Sequence, residues 1–156
     1  MEASQFKTDY QMKKLIIYAL VAFFGFMNSG CSDNLVGYLD TENAEYLPNT
    51  MTIRKELDPM VDAIRIQNQA PWVSTKISGV IGTNPLVFSI VDVKSDDVDE
   101  AAIEYFFNNV YVQGLGRIYY PINTDTEPGS YTISLGVQNS GDYYHVIEDA
   151  MTIIVE

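Results

Sequence analysis

The chain has 156 residues, with nine Lys/Arg against 21 Asp/Glu and a formal net charge of −12. That length suits one domain of ordinary size. So acidic a surface repels phosphate backbones and anionic headgroups, which excludes nucleic acid as a partner, and a single Cys excludes an internal disulfide.

Met12-Lys13-Lys14 is a positively charged start, and Leu15 to Met27 (LIIYALVAFFGFM) then runs thirteen residues without a charge. This matches the apolar region of an export signal and is too short for a spanning helix. Asn28-Ser29-Gly30 ends the run with the small residues that a signal peptidase requires. The eleven residues before Met12 carry mixed charges unlike a signal's start, so Met12 reads as an alternative first residue. The expected organisation is a leader over 1–30, a lipidated tether over 31–49 and a β-domain over 50–156. From Cys31 onward six basic residues stand against 19 acidic ones, a net charge near −13. The plain role of that charge is solubility.

Asn34 to Asn49 is polar, with Tyr38, Tyr46 and Pro48 scattered through it, as a tether with a late edge strand would be. Met51 to Lys55 alternates apolar and polar residues and predicts a strand. Asp58-Pro59 marks a break. Ala63-Ile64-Arg65-Ile66 reads as a second short strand and Val73 to Val80 as a third, with Ile81 to Pro85 as a turn. Leu86 to Val93 is apolar on both faces and predicts a central strand. Asp99 to Phe106 predicts a helical turn or two with an acidic start. Val110-Tyr111-Val112 and Arg117 to Pro121 follow as strands around Gly114-Leu115-Gly116.

The clearest segment is the last. Tyr131, Ile133, Leu135 and Val137 fall on one strand face, and Thr132, Ser134, Gly136 and Gln138 on the other, as in a sheet with one face on a core. Asn139 to Asp142 predicts a hairpin loop. Tyr143 to Ile147 and Met151 to Val155 form the returning strand, with a bulge around Glu148-Asp149-Ala150. The fold class expected is all-β, an antiparallel immunoglobulin-like β-sandwich of about seven strands following a signal peptide.

Asn28-Ser29-Gly30-Cys31 resembles a bacterial lipobox. The resemblance implies that the Cys31 thiolate becomes a thioether to diacylglycerol and that cleavage frees its amine for a further chain. Two or more acyl chains hold a protein firmly on a bilayer. Asn28 departs from the usual aliphatic residue, a position at which bacteroidete lipoproteins are tolerant. Ser32-Asp33-Asn34 resembles, in part, the acidic motif that sends such lipoproteins to the outer face of the outer membrane. Pro128-Gly129-Ser130-Tyr131-Thr132-Ile133 resembles the start of the penultimate strand of immunoglobulin-like and cadherin-like bacterial domains. There a Tyr hydrogen-bonds back to the preceding turn, two residues before a core position; Tyr131 and Ile133 fit those roles. Together these features resemble the surface lipoproteins of bacteroidete polysaccharide-utilisation loci. The resemblance implies a non-enzymatic binding or spacer module in glycan capture, beside outer-membrane uptake proteins. Relatives of that kind carry a second, lectin-like domain, which is not expected in a sequence that runs to Glu156. The alternative is an adhesion or pilus-type subunit that pairs through an edge strand.

Few residues carry chemistry. His145, the one histidine, sits between Tyr144 and Val146 and reads as structural, and no nucleophile elbow accompanies it. No catalytic residue, zinc site or cofactor is expected. Asp96, Asp97, Asp99 and Glu100 could offer oxygen ligands to calcium, but lack the regular calcium-loop spacing and read as a solvated loop. Aromatic residues are the better candidates. Neighbours on a strand face opposite sides, so one member of Tyr119-Tyr120 and one of Tyr143-Tyr144 points outward. Candidate ligand contacts are therefore Trp72, Tyr119 and Tyr143, whose rings could stack on a sugar or a partner.

Overall fold

The computed structural model describes residues 37–122 and 124–156; the stretch read as a leader, Cys31 and Ser32-Asp33-Asn34 lie outside them. Among the described residues there are nine strands: β1 (Leu39–Asp40), β2 (Thr50–Ile53), β3 (Trp72–Val73), β4 (Ile81–Gly82), β5 (Val87–Lys94), β6 (Tyr111–Gln113), β7 (Arg117–Tyr120), β8 (Gly129–Gln138) and β9 (Tyr144–Val155). Within the same described residues the helices α1 (Ala63–Asn68) and α2 (Glu100–Asn109) interrupt them. The domain is thus built mainly of strands, as expected. They form a four-stranded sheet in the order β2-β9-β8-β5, a three-stranded sheet in the order β3-β7-β6, and the pair β1-β4.

The β8–β9 hairpin organises the larger sheet. Tyr131, Ile133, Leu135 and Val137 are fully buried on the predicted core face. The bulge falls where expected: Ile133 pairs with Met151 and Leu135 with Ile147, so Glu148, Asp149 and Ala150 stand opposite Ser134 alone. Ser134 Oγ accepts the Asp149 N–H at 3.1 Å, satisfying the group that the bulge frees. The outer face at Gly136 is covered as well. A Cβ there would lie 2.5 Å from Tyr144 Oη and 2.9 Å from Ser89 Oγ, so the bare glycine lets the ring of Tyr144 lie across the strand.

Side chains from both sheets and from α2 meet in one core, including Ile53, Phe106, Val110, Ile118, Tyr120, Tyr131, Leu135 and Ile153. Phe106 lies between two tyrosines, 4.1 Å from the Tyr131 ring centroid and 4.7 Å from that of Tyr120. The Tyr131 hydroxyl donates to the Glu127 carbonyl at 2.9 Å, the backward bond expected at this corner. Helix α2 is longer than the predicted turn or two. Asp99 caps it by accepting the Ala102 N–H at 2.9 Å.

Several sequence expectations are corrected. Ala63–Ile66 is helical. Asp58 Oδ1 accepts from Met60 N at 2.7 Å and Asp62 Oδ2 from Asp58 N at 3.1 Å, and these local bonds draw the chain into turns before α1. Strand β5 is an edge strand. It pairs only with β8, and Val87 is 59 % exposed, so its two-sided apolar pattern does not reflect two-sided burial. Strand β2 runs parallel to β9, making the larger sheet mixed. The two strands come from opposite ends of the domain, so no hairpin constrains their sense. Strand β3 ends at Val73, far short of Val80, and Ile81–Gly82 pairs with β1 where a turn was expected.

The stretch read as tether is packed on the domain from its described part onward. Leu39 and Tyr46 are buried, and the Tyr46 hydroxyl donates to the Gly116 carbonyl. Gly116 has φ +68°, and a Cβ would sit 2.6 Å from Ile77 Cγ2; only glycine turns the chain tightly enough to offer Tyr46 that carbonyl.

Candidate functional site

The three-stranded sheet positions the outward aromatics. The Gly114-Leu115-Gly116 turn puts Gln113 opposite Arg117, and hence Val112 opposite Ile118 and Tyr111 opposite Tyr119. On the other side Tyr119 pairs with Val73. Alternation sends Ile118 and Tyr120 inward, where both are fully buried, and leaves Tyr119 on the outer face. Tyr119 and Tyr111 stack with centroids 5.3 Å apart and planes 10° from parallel. Val73, Tyr119 and Tyr111 therefore make one apolar row across the sheet, with Val73 and Tyr111 exposed at 42 % and 36 %. Arg117 and Gln113 form the adjacent row and bring hydrogen-bonding groups to the same face. Such a face can hold the flat, apolar side of a ring while polar groups reach its hydroxyls.

The three candidate contacts are not brought together. Trp72 pairs with Tyr120, on the inward register of the same sheet, so it lies on the opposite face from Tyr119. It is half-buried against the core and lies within reach of two cations. The Arg65 guanidinium lies 3.8 Å from its ring centroid and that of Arg54 lies 5.4 Å away. Arg54 also forks onto Asp62, with Nη2–Oδ1 at 2.5 Å and Nε–Oδ2 at 3.2 Å. That hydrogen-bonded guanidinium holds the Asp62 carboxyl below its usual range. Trp72 is thus packed against the segment running from β2 into α1. Tyr143 lies in the β8–β9 hairpin, its N–H donating to Asn139 Oδ1 at 3.1 Å. Cys31 lies outside the described residues.

Other candidates resolve into local structure. His145 Nδ1 lies 3.1 Å from Thr41 Oγ1. In the acidic loop, Asp97 Oδ2 accepts from Ser130 N at 2.9 Å and Asp99 is the helix cap. Among the described residues no three His, Cys, Asp or Glu side chains converge as metal ligands, and no helix is long and apolar enough to cross a membrane.

Sequence reasoning passed over Tyr111 as a contact and missed the guanidiniums around Trp72. Tyr111 was within reach, because a turn centred on Leu115 fixes 111 opposite 119. The arginine pairing arises from a helix that the sequence pattern disguised as a strand.

No family model matches the chain, and neither the curated proteins nor the solved structures provide a match.

Proposed function

We propose that this chain is a bacteroidete-type lipoprotein of the outer membrane, facing the cell surface. Its immunoglobulin-like β-sandwich would act without catalysis, as a binding or spacer module in glycan capture and uptake. Strand order supports the fold. Taking β3 and β5–β9 as strands B to G gives B-E-D in one sheet and C-F-G in the other, with β2 as an added strand beside G. The Tyr131–Glu127 bond supports it further. The apolar leader and the Cys31 that follows it support the anchor.

The observation that carries the binding role is the row Val73-Tyr119-Tyr111, an aromatic stack left on an outer sheet face. The surrounding negative charge favours a neutral glycan over an acidic one. Edge-strand pairing is the weaker reading. The longest open edge, β5, is broken by a register shift between Ile90 and Asp92 and carries Asp92 and Lys94, devices that discourage a further strand.

The test is a polysaccharide array probed with the chain from Cys31 onward, carrying Cys31→Ala. Binding to a neutral polysaccharide is expected, and Tyr119→Ala should weaken it by about ten-fold or more while leaving the fold intact. Failure to bind any polysaccharide would move the role to assembly. The anchor is tested separately: in the full chain, Cys31→Ala should abolish palmitate labelling and membrane fractionation. Labelling that persists in that variant would refute lipidation at Cys31.

A further inference from the structure

The outer face of the larger sheet changes character along its strands. Near the β8–β9 loop it presents Val87, Gln138 and Tyr144 in one row and Ser89, Gly136 and Val146 in the next. Val87, Tyr144 and Val146 are exposed at 59 %, 49 % and 45 %. The Tyr144 ring lies across the bare Gly136, where Ser89 Oγ also comes close, so this surface is continuous over β5, β8 and β9. Farther along the same face Lys94 lies between Asp92 and Asp149, at 3.8 and 3.4 Å. Residues 83–91 and 136–146 build the apolar half and its loops, and Asp142 is the one Asp, Glu, Lys or Arg among them. On so acidic a chain this half-face is where another surface can approach without repulsion.

The occupant follows from where the described chain begins. Tyr38 N donates to Thr83 Oγ1 at 3.2 Å, and the Tyr38 carbonyl accepts from Thr83 N at 3.0 Å and from Asn139 Nδ2 at 2.8 Å. Ser140 Oγ donates to the Asn84 carbonyl at 3.1 Å. These bonds tie Tyr38 to the two loops that flank Val87, Gln138 and Tyr144. Cys31 precedes Gly37 by six residues, which reach at most about 20 Å whatever path they take. A lipid on Cys31 therefore holds this end of the domain close to a bilayer. The exposed side chains suit that neighbour. Tyrosine settles at a membrane–water interface with its ring against apolar chains and its hydroxyl among headgroups, and both Tyr38 and Tyr144 are exposed here.

We propose that this half-face, Val87, Tyr144 and Val146 with Tyr38 beside it, lies against the bilayer that anchors the chain. The proposal rests on the Cys31 reading. The acyl chains supply the hold, and the patch sets the orientation. The lipid surface it fits is zwitterionic, because Asp142 and the acidic remainder of the domain are repelled by anionic headgroups. The Val73-Tyr119-Tyr111 row lies on the outer face of the other sheet, so this orientation turns it away from the membrane.

The test uses the full chain, purified from cell membranes and reconstituted into phosphatidylcholine vesicles that contain a lipid with a nitroxide on its headgroup. Val87→Cys, Tyr144→Cys and Val146→Cys are introduced singly and labelled with bimane. Quenching by the nitroxide is expected at all three. None above background is expected at Tyr119→Cys, which two sheets packed about 10 Å apart separate from the lipid. Should Tyr144→Cys disturb the strand beneath it, the two valine positions still decide. Flotation with the vesicles but no quenching, as a second copy covering this face would give, overturns the orientation and leaves the anchor standing. So does equal quenching at Tyr119→Cys. A chain that fails to float with the vesicles, or an unsubstituted chain that takes up bimane on a free Cys31 thiol, refutes the anchor and the orientation with it.

Discussion

Phe106→Ala is expected to cost the domain about 3–5 kcal/mol. Helix α2 contributes two buried side chains, Ala102 and Phe106, and only the second is large. Its ring is fully buried between Tyr120 and Tyr131, with planes within 14° and 6° of theirs. Truncation would leave a cavity between two rigid rings that cannot collapse into it, and would remove two stacking contacts of about 0.5–1.5 kcal/mol each. Against a total stability of about 5–15 kcal/mol this is a large fraction. Urea unfolding should show a lower midpoint with an unchanged slope. Phe106→Leu keeps much of the volume and should cost less. Phe107→Ala, next along the helix but 39 % exposed, should stay within about 0.5 kcal/mol of the parent. A loss below about 1 kcal/mol for Phe106→Ala would mean that the helix is not docked through this ring.

What the sequence revealed followed the strength of local pattern. Over Tyr131–Val137 a period of two runs through four large apolar residues, and no other structure satisfies it. The bulge opposite Ser134 was legible because Glu148-Asp149-Ala150 interrupts an otherwise regular strand. Ala63–Ile66 also alternates, but four residues cannot distinguish a strand from one helical turn. There the carboxylates of Asp58 and Asp62, acting on nearby N–H groups, decided the outcome. The apolar run of β5 suggested burial on both sides, yet its place at the sheet edge depends on which strands pair, a long-range choice that no local window contains. The candidate site divides in the same way. The outward placement of Tyr119 was legible because alternation needs only its neighbours. The surroundings of Trp72 were not legible because they are supplied by Arg54 and Arg65, which reach it only once the chain has folded.

Raising the pH above about 10 is expected to destabilise the domain through its buried phenols. Burial raises the pKa of Tyr46, Tyr120 and Tyr131 above the ordinary 10.0, Tyr131 to about 12. A phenol with a raised folded-state pKa keeps its proton in the native protein at a pH where the unfolded chain has lost it. The native state then binds more protons, so stability falls as pH rises. For Tyr131 the contribution is whole below pH 10 and is lost as pH climbs from 10 through about 12. Tyr131→Phe separates this from packing. At neutral pH it should cost about 1 kcal/mol, the net worth of the bond to the Glu127 carbonyl. Above pH 10 the parent loses stability that the variant no longer has to lose, so the gap between them should narrow. Urea titrations at pH 7, 10 and 11.5, with phenolate absorbance followed in parallel, measure this directly. A gap that stayed constant across that range would mean that the Tyr131 hydroxyl meets solvent as freely in the folded protein as in the unfolded chain, and the closed corner between β7 and β8 would have to be abandoned.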